Sequence, residues 1–230
     1  MNQIKKNLLI VLPCIVIFLS SSVTAEAQKE TTITKFYFQT AVGGGNFGNN
    51  SSDLGVQAII KNKWSLSLSY QALDMRPNNI PNDYIPATGT GEFFIIPYSY
   101  SKGVDNVSMK LVNFTGGKYF KLSRSIWATT EAGVSFVHGE KTKFRSIPVT
   151  SGTSYYVLGW EDYTTSNYEA TVGNKNTIGA MLKADINWAF ASFMGIGGGV
   201  YANVNSIQSP VGFHIKLIFG LMGKEKKHRG

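Results

Sequence analysis

The sequence predicts an all-β protein, an eight-stranded antiparallel up-and-down transmembrane β-barrel. Three observations carry this: strand-length runs of alternating apolar and polar residues, turns or loops between them, and no sustained helical period. In NTIGAMLKADINWAF (176–190), Ile178, Ala180, Leu182, Ala184, Ile186, Trp188 and Phe190 fall on one face of a strand. Thr177, Gly179, Lys183, Asp185 and Asn187 fall on the other, and Met181 is the exception.

The chain has 230 residues. Its start carries Lys5 and Lys6, an apolar run from Leu8 to Leu19, then small residues ending at Ala27. This is the pattern of a cleaved secretory signal peptide over 1–27. Its 12-residue apolar run is short for a spanning helix, which needs about 20. Cys14, the single cysteine, sits inside that run rather than at its end, which argues against lipidation. A mature chain from 28 therefore has no disulfide, thiolate metal site or cysteine nucleophile. The full chain carries 22 Lys+Arg and 14 Asp+Glu, net +8; loss of Lys5, Lys6 and Glu26 leaves +7. Part of this charge is a basic tail at 224–230. In an exported protein such a balance suits anionic lipid or polysaccharide better than nucleic acid.

Eight runs follow in order. The first is 33–46; a loop, FGNNSSD, leads to the second at 54–61, with Leu54, Val56, Ala58 and Ile60 on one face. A tight turn at Asn62-Lys63 leads to the third, 64–74, where Trp64, Leu66, Leu68 and Tyr70 alternate with serines. A Pro-rich segment, 75–106, precedes the fourth at 107–120, whose alternation is untidy around Leu111-Val112, as a bulge would make it. The fifth is 126–139 and a second long segment covers 140–174. The sixth is the stretch quoted above, the seventh 194–205 and the eighth 211–222. "GEFFIIPYSY" and "SYYVLGWEDY" in the long segments read as strand extensions pairing edge to edge, which leaves room for a ten-strand count.

Which face meets solvent follows from charge and aromatics. Charged residues are 16% of the chain, below the roughly 25–35% of soluble surfaces. The polar faces of several runs carry mostly Ser, Gly, Gln, Asn and Tyr. Phe36, Phe38, Trp64, Tyr70, Tyr119, Phe120, Trp188 and Phe190 sit near strand ends, where an interfacial girdle belongs. Long connections at one end and short turns at the other complete the pattern of outer-membrane barrels. The apolar faces then meet lipid. In the competing soluble carrier they would line a ligand cavity instead.

The meander, the loop asymmetry and the last run GFHIKLIFGLMG resemble the small outer-membrane barrels of the OmpA and OmpX kind. The resemblance spans nearly the whole mature barrel, 28–223, and implies a bacterial outer-membrane location and insertion by the barrel-insertion machinery. One departure is that Phe219 is followed by Gly220-Leu221-Met222 and the tail, where these barrels end on an aromatic.

An eight-stranded barrel is filled by its own side chains. Strand parity puts Lys110, Glu131, Lys183, Asp185, His214 and Lys216 in the lumen, with Glu131 and Asp185 neutralising the lysines. This is a structural polar network, or else a gated ion path. No catalytic, cofactor or metal site is expected. His214 has Lys216 two places on and His138 has Glu140, where an outer-leaflet lipid-modifying enzyme of the barrel kind would need a serine. "AVGGGNF" and "GIGGGV" lack phosphate-loop spacing and read as glycines in a crowded lumen. Specificity belongs to the long loops. Tyr98, Tyr100, Tyr155, Tyr156 and Trp160, with Lys141, Lys143 and Arg145 nearby, suit a surface glycan, lipopolysaccharide or a protein partner. The expected role is structural or interactive at the cell surface.

Overall fold

Alternation of side chains along the chain becomes twelve antiparallel strands. The computed structural model describes residues 33–222; the expected signal peptide (1–27) and basic tail (224–230) lie outside the described residues. The strands are β1 (Ile33–Gly45), β2 (Asn50–Ile60), β3 (Trp64–Met75), β4 (Ala87–Phe93), β5 (Ile96–Lys102), β6 (Val107–Lys121), β7 (Ile126–Ser146), β8 (Ser151–Tyr156), β9 (Gly159–Thr164), β10 (Tyr168–Ala189), β11 (Met194–Val204) and β12 (Val211–Leu221). Eight of them close a barrel in the order β1-β12-β11-β10-β7-β6-β3-β2, and the other four form a separate sheet, β5-β4-β9-β8. The expected eight-strand count therefore holds for the barrel, and the two hairpins of the long loops pair with each other rather than adding a ninth and tenth barrel strand.

Closure gives every barrel strand two hydrogen-bonded neighbours, so no sheet edge is left in the ring. Short turns at 61–63, 122–125 and 190–193 lie at one end. The other end, here the loop end, carries 46–49, 76–106, 147–167 and 205–210. The first of these is a single turn of 3-10 helix at Asn46–Gly48, because β2 begins at Asn50, four residues before the expected start. Ser51 and Asp53 continue its inward face, but as polar residues they give no sign of a strand to apolar periodicity.

The outer face of the barrel is apolar and its lumen polar. Leu182 is 54% exposed on the outside while its neighbour Lys183 is 5% exposed within. Val42, Leu54, Phe114, Phe136, Ile186, Phe213 and Ile215 are also exposed around the ring. Trp64, Phe120, Trp188 and Phe190 point outward near the strand ends, and Lys118 Nζ caps the Trp64 ring at 3.5 Å, whereas Phe38 and Tyr70, expected at strand ends, point outward from the middle of β1 and β3. Tyr119 does not join this girdle; it is buried inside.

The lumen has three layers. An apolar plug at the turn end contains Tyr37, Ile59, Tyr119, Trp127, Ile218 and Met222. A second, at the loop end, contains Leu73, Met75, Val107, Met109, Leu111, Val137, Met181, Tyr201 and Ile207. Asp53, Glu131, Lys183, Asp185, His214 and Lys216 lie between, while Lys35 is buried in the turn-end plug with its Nζ 4.8 Å over the Trp127 ring. The loop-end plug explains two anomalies of the sequence. Met181 breaks the polar rhythm of its run because it belongs to this plug. β6 carries no bulge, since its pairing with β3 and β7 runs without a register shift. Its alternation looks untidy because Val107, Met109 and Leu111 are apolar and inward, which turns Lys110 outward, against the expectation from parity.

Candidate functional site

Two places gather polar chemistry: the middle of the lumen and the four-stranded outer sheet. In the lumen, β10 and β12 set inward residues at alternate positions. Asp185 Oδ2 accepts from Lys216 Nζ at 2.7 Å, and Asp185 Oδ1 lies 2.8 Å from His214 Nε2. Lys216 also donates to Gln39 Oε1 at 3.1 Å, and the His214 ring stacks on Tyr201 with centroids 6.0 Å apart. Lys183 Nζ meets Asp53 Oδ2 at 3.3 Å, and Ser69 Oγ donates to the same oxygen. Glu131 accepts from Gln57 Nε2 at 2.5 Å, from Thr115 Oγ1 at 2.7 Å and from Ser65 Oγ. Asn203, Ser135 and Asn113 continue the network toward the loop end.

Space for these groups comes from glycines on β11. A Cβ on Gly199 would stand 2.1 Å from Asp185 Oδ1, and one on Gly197 2.5 Å from Asn187 Oδ1 and 2.9 Å from Lys216 Cε. "GIGGGV" is thus the hollow into which the buried charges of β10 and β12 fit.

Of the residues expected in the lumen, Glu131, Lys183, Asp185, His214 and Lys216 are inside. Lys110 is on the outer face, paired in register with Ala72 and His138. Among the described residues Glu131 hydrogen-bonds no lysine; its partners are two hydroxyls and an amide. The second acidic partner is Asp53, in the stretch FGNNSSD that apolar periodicity assigns to a loop. The signal that would have found it is the polar Ser51-x-Asp53 step leading into the alternation of β2. Neither of the two described histidines meets a serine hydroxyl: His138 Nδ1 is 2.6 Å from Asn176 Oδ1, and His214 is engaged by Asp185.

Beyond the rim, β7 and β10 continue as a two-stranded ribbon from Glu140↔Asn174 to Ser146↔Tyr168. The segment 76–86 is laid along it. Asn79 Nδ2 donates to the Thr142 carbonyl, Tyr168 Oη to both Asp83 oxygens, and Asn167 Nδ2 to the Asp83 carbonyl. Tyr84, Phe144 and Tyr168 stack edge to face at 6.3 and 6.4 Å. Lys141, Lys143 and Arg145 are exposed in a row on this ribbon.

The outer sheet sits on that support. β4 pairs β9 from Thr88↔Thr164 to Phe93↔Gly159, joining the hairpins β4–β5 and β8–β9 side by side. On one face, Glu161 accepts from Tyr100 Oη at 2.6 Å, Tyr156 Oη at 2.9 Å and Tyr98 Oη at 3.2 Å. The phenols reach it because β4 offers glycine beneath them. A Cβ on Gly89 would stand 2.4 Å from the Tyr100 ring, and one on Gly91 2.9 Å from Tyr98 Oη. Bonds from Tyr100, then Tyr156, then Tyr98 hold the Glu161 carboxyl below the usual carboxylate range. In return the Tyr100 and Tyr156 phenols are pushed up, chiefly by their bonds to Glu161, and Tyr98 chiefly by desolvation. The opposite face carries Thr88, Thr90, Ser99, Ser151 and Thr153 around Asp162, which accepts from Thr153 Oγ1 at 2.5 Å. Thus the five loop aromatics divide: Tyr98, Tyr100 and Tyr156 converge on Glu161, while Tyr155 and Trp160 pair across β8 and β9 on the other face. Nothing local in the sequence marks Glu161, because its role depends on three strands meeting.

No protein-family model matches the sequence, and no curated protein matches it. Solved structures that resemble it include the N-terminal β-barrel domain of Pseudomonas aeruginosa OprF, at 10% identity over 82% of this chain and 98% of that one, TM-score 0.46. The attachment invasion locus protein Ail of Yersinia pestis has 8% identity over 82% and 95%, TM-score 0.41. A de novo designed transmembrane β-barrel has 12% identity over 84% and 100%, TM-score 0.45. The barrel itself is established by the strand pairing.

Proposed function

We propose that this chain is an integral barrel of a bacterial outer membrane, reached after export through the signal peptide, whose outer sheet makes contacts at the cell surface. One observation carries the reading: polarity is reversed relative to a soluble barrel. Large apolar side chains encircle the outside, and Lys183, Asp185, His214 and Lys216 are enclosed within. In water this arrangement would expose a continuous apolar belt; in a bilayer the belt meets lipid and the charges satisfy one another. β11 and β12, at 11 residues each, match the roughly 9–11 tilted residues that cross the hydrocarbon layer. A soluble carrier of a hydrophobic ligand needs an apolar cavity inside, and the inside here is a charged layer between two plugs.

The barrel is an anchor with a structurally filled lumen, and the outer sheet is its working part. Lipid and lipopolysaccharide surround the belt, the barrel-insertion machinery places it there, and the sheet meets a glycan, a protein or another surface. The four strands of that sheet are already paired with one another, so none has to pair when a partner arrives, which lowers the ordering cost of binding. The test is a gel of the envelope fraction in detergent, boiled against unboiled. A heat-dependent change in migration is expected. No shift, with the protein in the buffer-soluble fraction, would overturn the reading.

A further inference from the structure

The outer sheet ends in a cluster of bare apolar side chains. At the β4–β5 turn, Phe93, Phe94, Ile95 and Ile96 are 54, 63, 85 and 65% exposed, and at the β8–β9 turn Val157 is 100% and Leu158 50% exposed. The two turns are joined, since the Phe94 N–H donates to the Leu158 carbonyl at 2.7 Å. Six large apolar side chains therefore share one end of the sheet. We propose that this end inserts into the lipid of a membrane facing the cell, an inference that rests on the barrel spanning the outer membrane with its loop end outward.

Turn chemistry is the first support. Phe94 and Ile95 hold φ of 50° and 65°, the left-handed region where Asn and Gly are at home and a β-branched residue is an outlier. The β2–β3 turn, at the opposite end of the barrel, uses the same region with Lys61 and Asn62, at 49° and 51°. An Asn-Gly pair would close the β4–β5 hairpin with less strain, so the sequence tolerates an unfavourable backbone to place Phe and Ile at the apex.

The order of side chains is the second. Tyr156 lies beside the tip rung of Phe93 and Ile96; the next rung carries Tyr155, Trp160 and Glu92, and behind it come Glu161 with its tyrosines and then the Thr and Ser row with Asp162. Apolar tip, amphipathic aromatic collar and polar base follow the gradient from acyl chain to headgroup to water. The tip residues 93–96 and 157–158 carry no charge, and the first charge behind them, Glu92, stands beside Trp160 in the collar. The third is placement. Residues 103–106 join the base of the sheet to β6 of the barrel, and the tip is at the other end, about 20 Å away along strands of six or seven residues.

A lipid surface suits this end better than a second copy of the chain. Six side chains meeting tip to tip would bury on the order of 600 Å² per partner, short of the roughly 800 Å² of a stable interface. A bilayer also accepts such side chains without a shaped pocket.

The test places the full-length protein in nanodiscs and mixes it with phosphatidylcholine vesicles, reading co-flotation. Wild type should float with the vesicles, to the same extent with zwitterionic or anionic lipid and at raised salt. Phe94→Asn with Ile95→Gly should cut the bound fraction about tenfold or more, as two large apolar side chains are removed, while keeping a hairpin whose turn these residues suit. Lys61→Asn with Asn62→Gly should change nothing. Absence of wild-type co-flotation would overturn the proposal, as would equal binding by the double variant. Binding confined to anionic vesicles and abolished by salt would assign the contact to Lys141, Lys143 and Arg145 instead. Pairing of nanodiscs without vesicles would assign the tip to a second copy. Failure of the barrel reading is separate: that protein would show no heat shift and would not enter nanodiscs.

Discussion

Glu131, enclosed in the barrel, and Glu161, out on the open sheet, each accept hydrogen bonds from three uncharged side chains, and neither is ion-paired among the described residues. The donors differ with the space available. In the lumen they are short, Ser65, Thr115 and Gln57, because facing walls stand a side chain apart. On the outer sheet there is no facing wall, and three tyrosines lie along the strand surface over glycine rungs to reach one carboxylate. Surroundings also set the consequences. A charge in the lumen has little water to fall back on, so its bonds bear on the stability of the whole barrel. Glu161 has water beside it, and its bonds bear only on how the two hairpins hold together.

Four measurements would break or sharpen this contrast. The largest effect belongs to Asp185→Asn, which leaves Lys216 and His214 enclosed without their carboxylate. We expect a loss of about 3–5 kcal/mol, read as a lower temperature for the gel shift and a lower urea midpoint in detergent. An unchanged midpoint would mean that the lumen is wetter than its burial implies. Glu131→Gln keeps the shape but replaces one acceptor by a donor facing other donors. It should cost about 1–3 kcal/mol by the same readouts, with no change in ion leakage through reconstituted vesicles; a rise in conductance would turn the structural network into a gate.

Glu161→Gln should leave both barrel readouts where they are and raise amide exchange in β4, β8 and β9 by less than about tenfold. A fall in the barrel's urea midpoint would erase the distinction between the two sites. Smallest is the effect of pH on the outer sheet. Glu161 titrates lower in the folded sheet than in an unfolded chain, so its contribution is fully present above about pH 4.3 and fades as pH falls through the folded value. The raised phenols of Tyr100 and Tyr156 work in the opposite sense: their contribution is present below about pH 10 and is lost as pH rises through their folded values. Protection of the sheet amides, exchange relative to the intrinsic rate at each pH, should therefore be greatest between these limits and fall at pH 3; protection that does not change with pH would remove Glu161 from the account.

Much of the barrel was legible because a two-residue period is a local property. Leu54, Val56 and Ala58, or Leu66 and Leu68, declare their face whatever their neighbours do. Lys183, Asp185, His214 and Lys216 could be assigned inward for the same reason. Lys110 could not, since the apolar plug of Leu111, Met109 and Val107 inverts the polarity of its strand, and only the loop-end cluster shows why. Tyr119 reads as a girdle residue until the turn-end plug claims it.

The sequence by itself thus determined the strand periodicity, the eight-strand meander, the unequal loops and most of the lumen's charges, all set by interactions along one strand or by connection length. Tertiary structure alone decided that Asp53 rather than Glu131 meets Lys183, that three tyrosines meet Glu161, and that two loops unite into one sheet with a bare apolar end. Those outcomes depend on register between strands distant in sequence, Leu182 beside Ala132 or Glu161 beside Gly91, and register is fixed only when the ring closes and the two hairpins find each other.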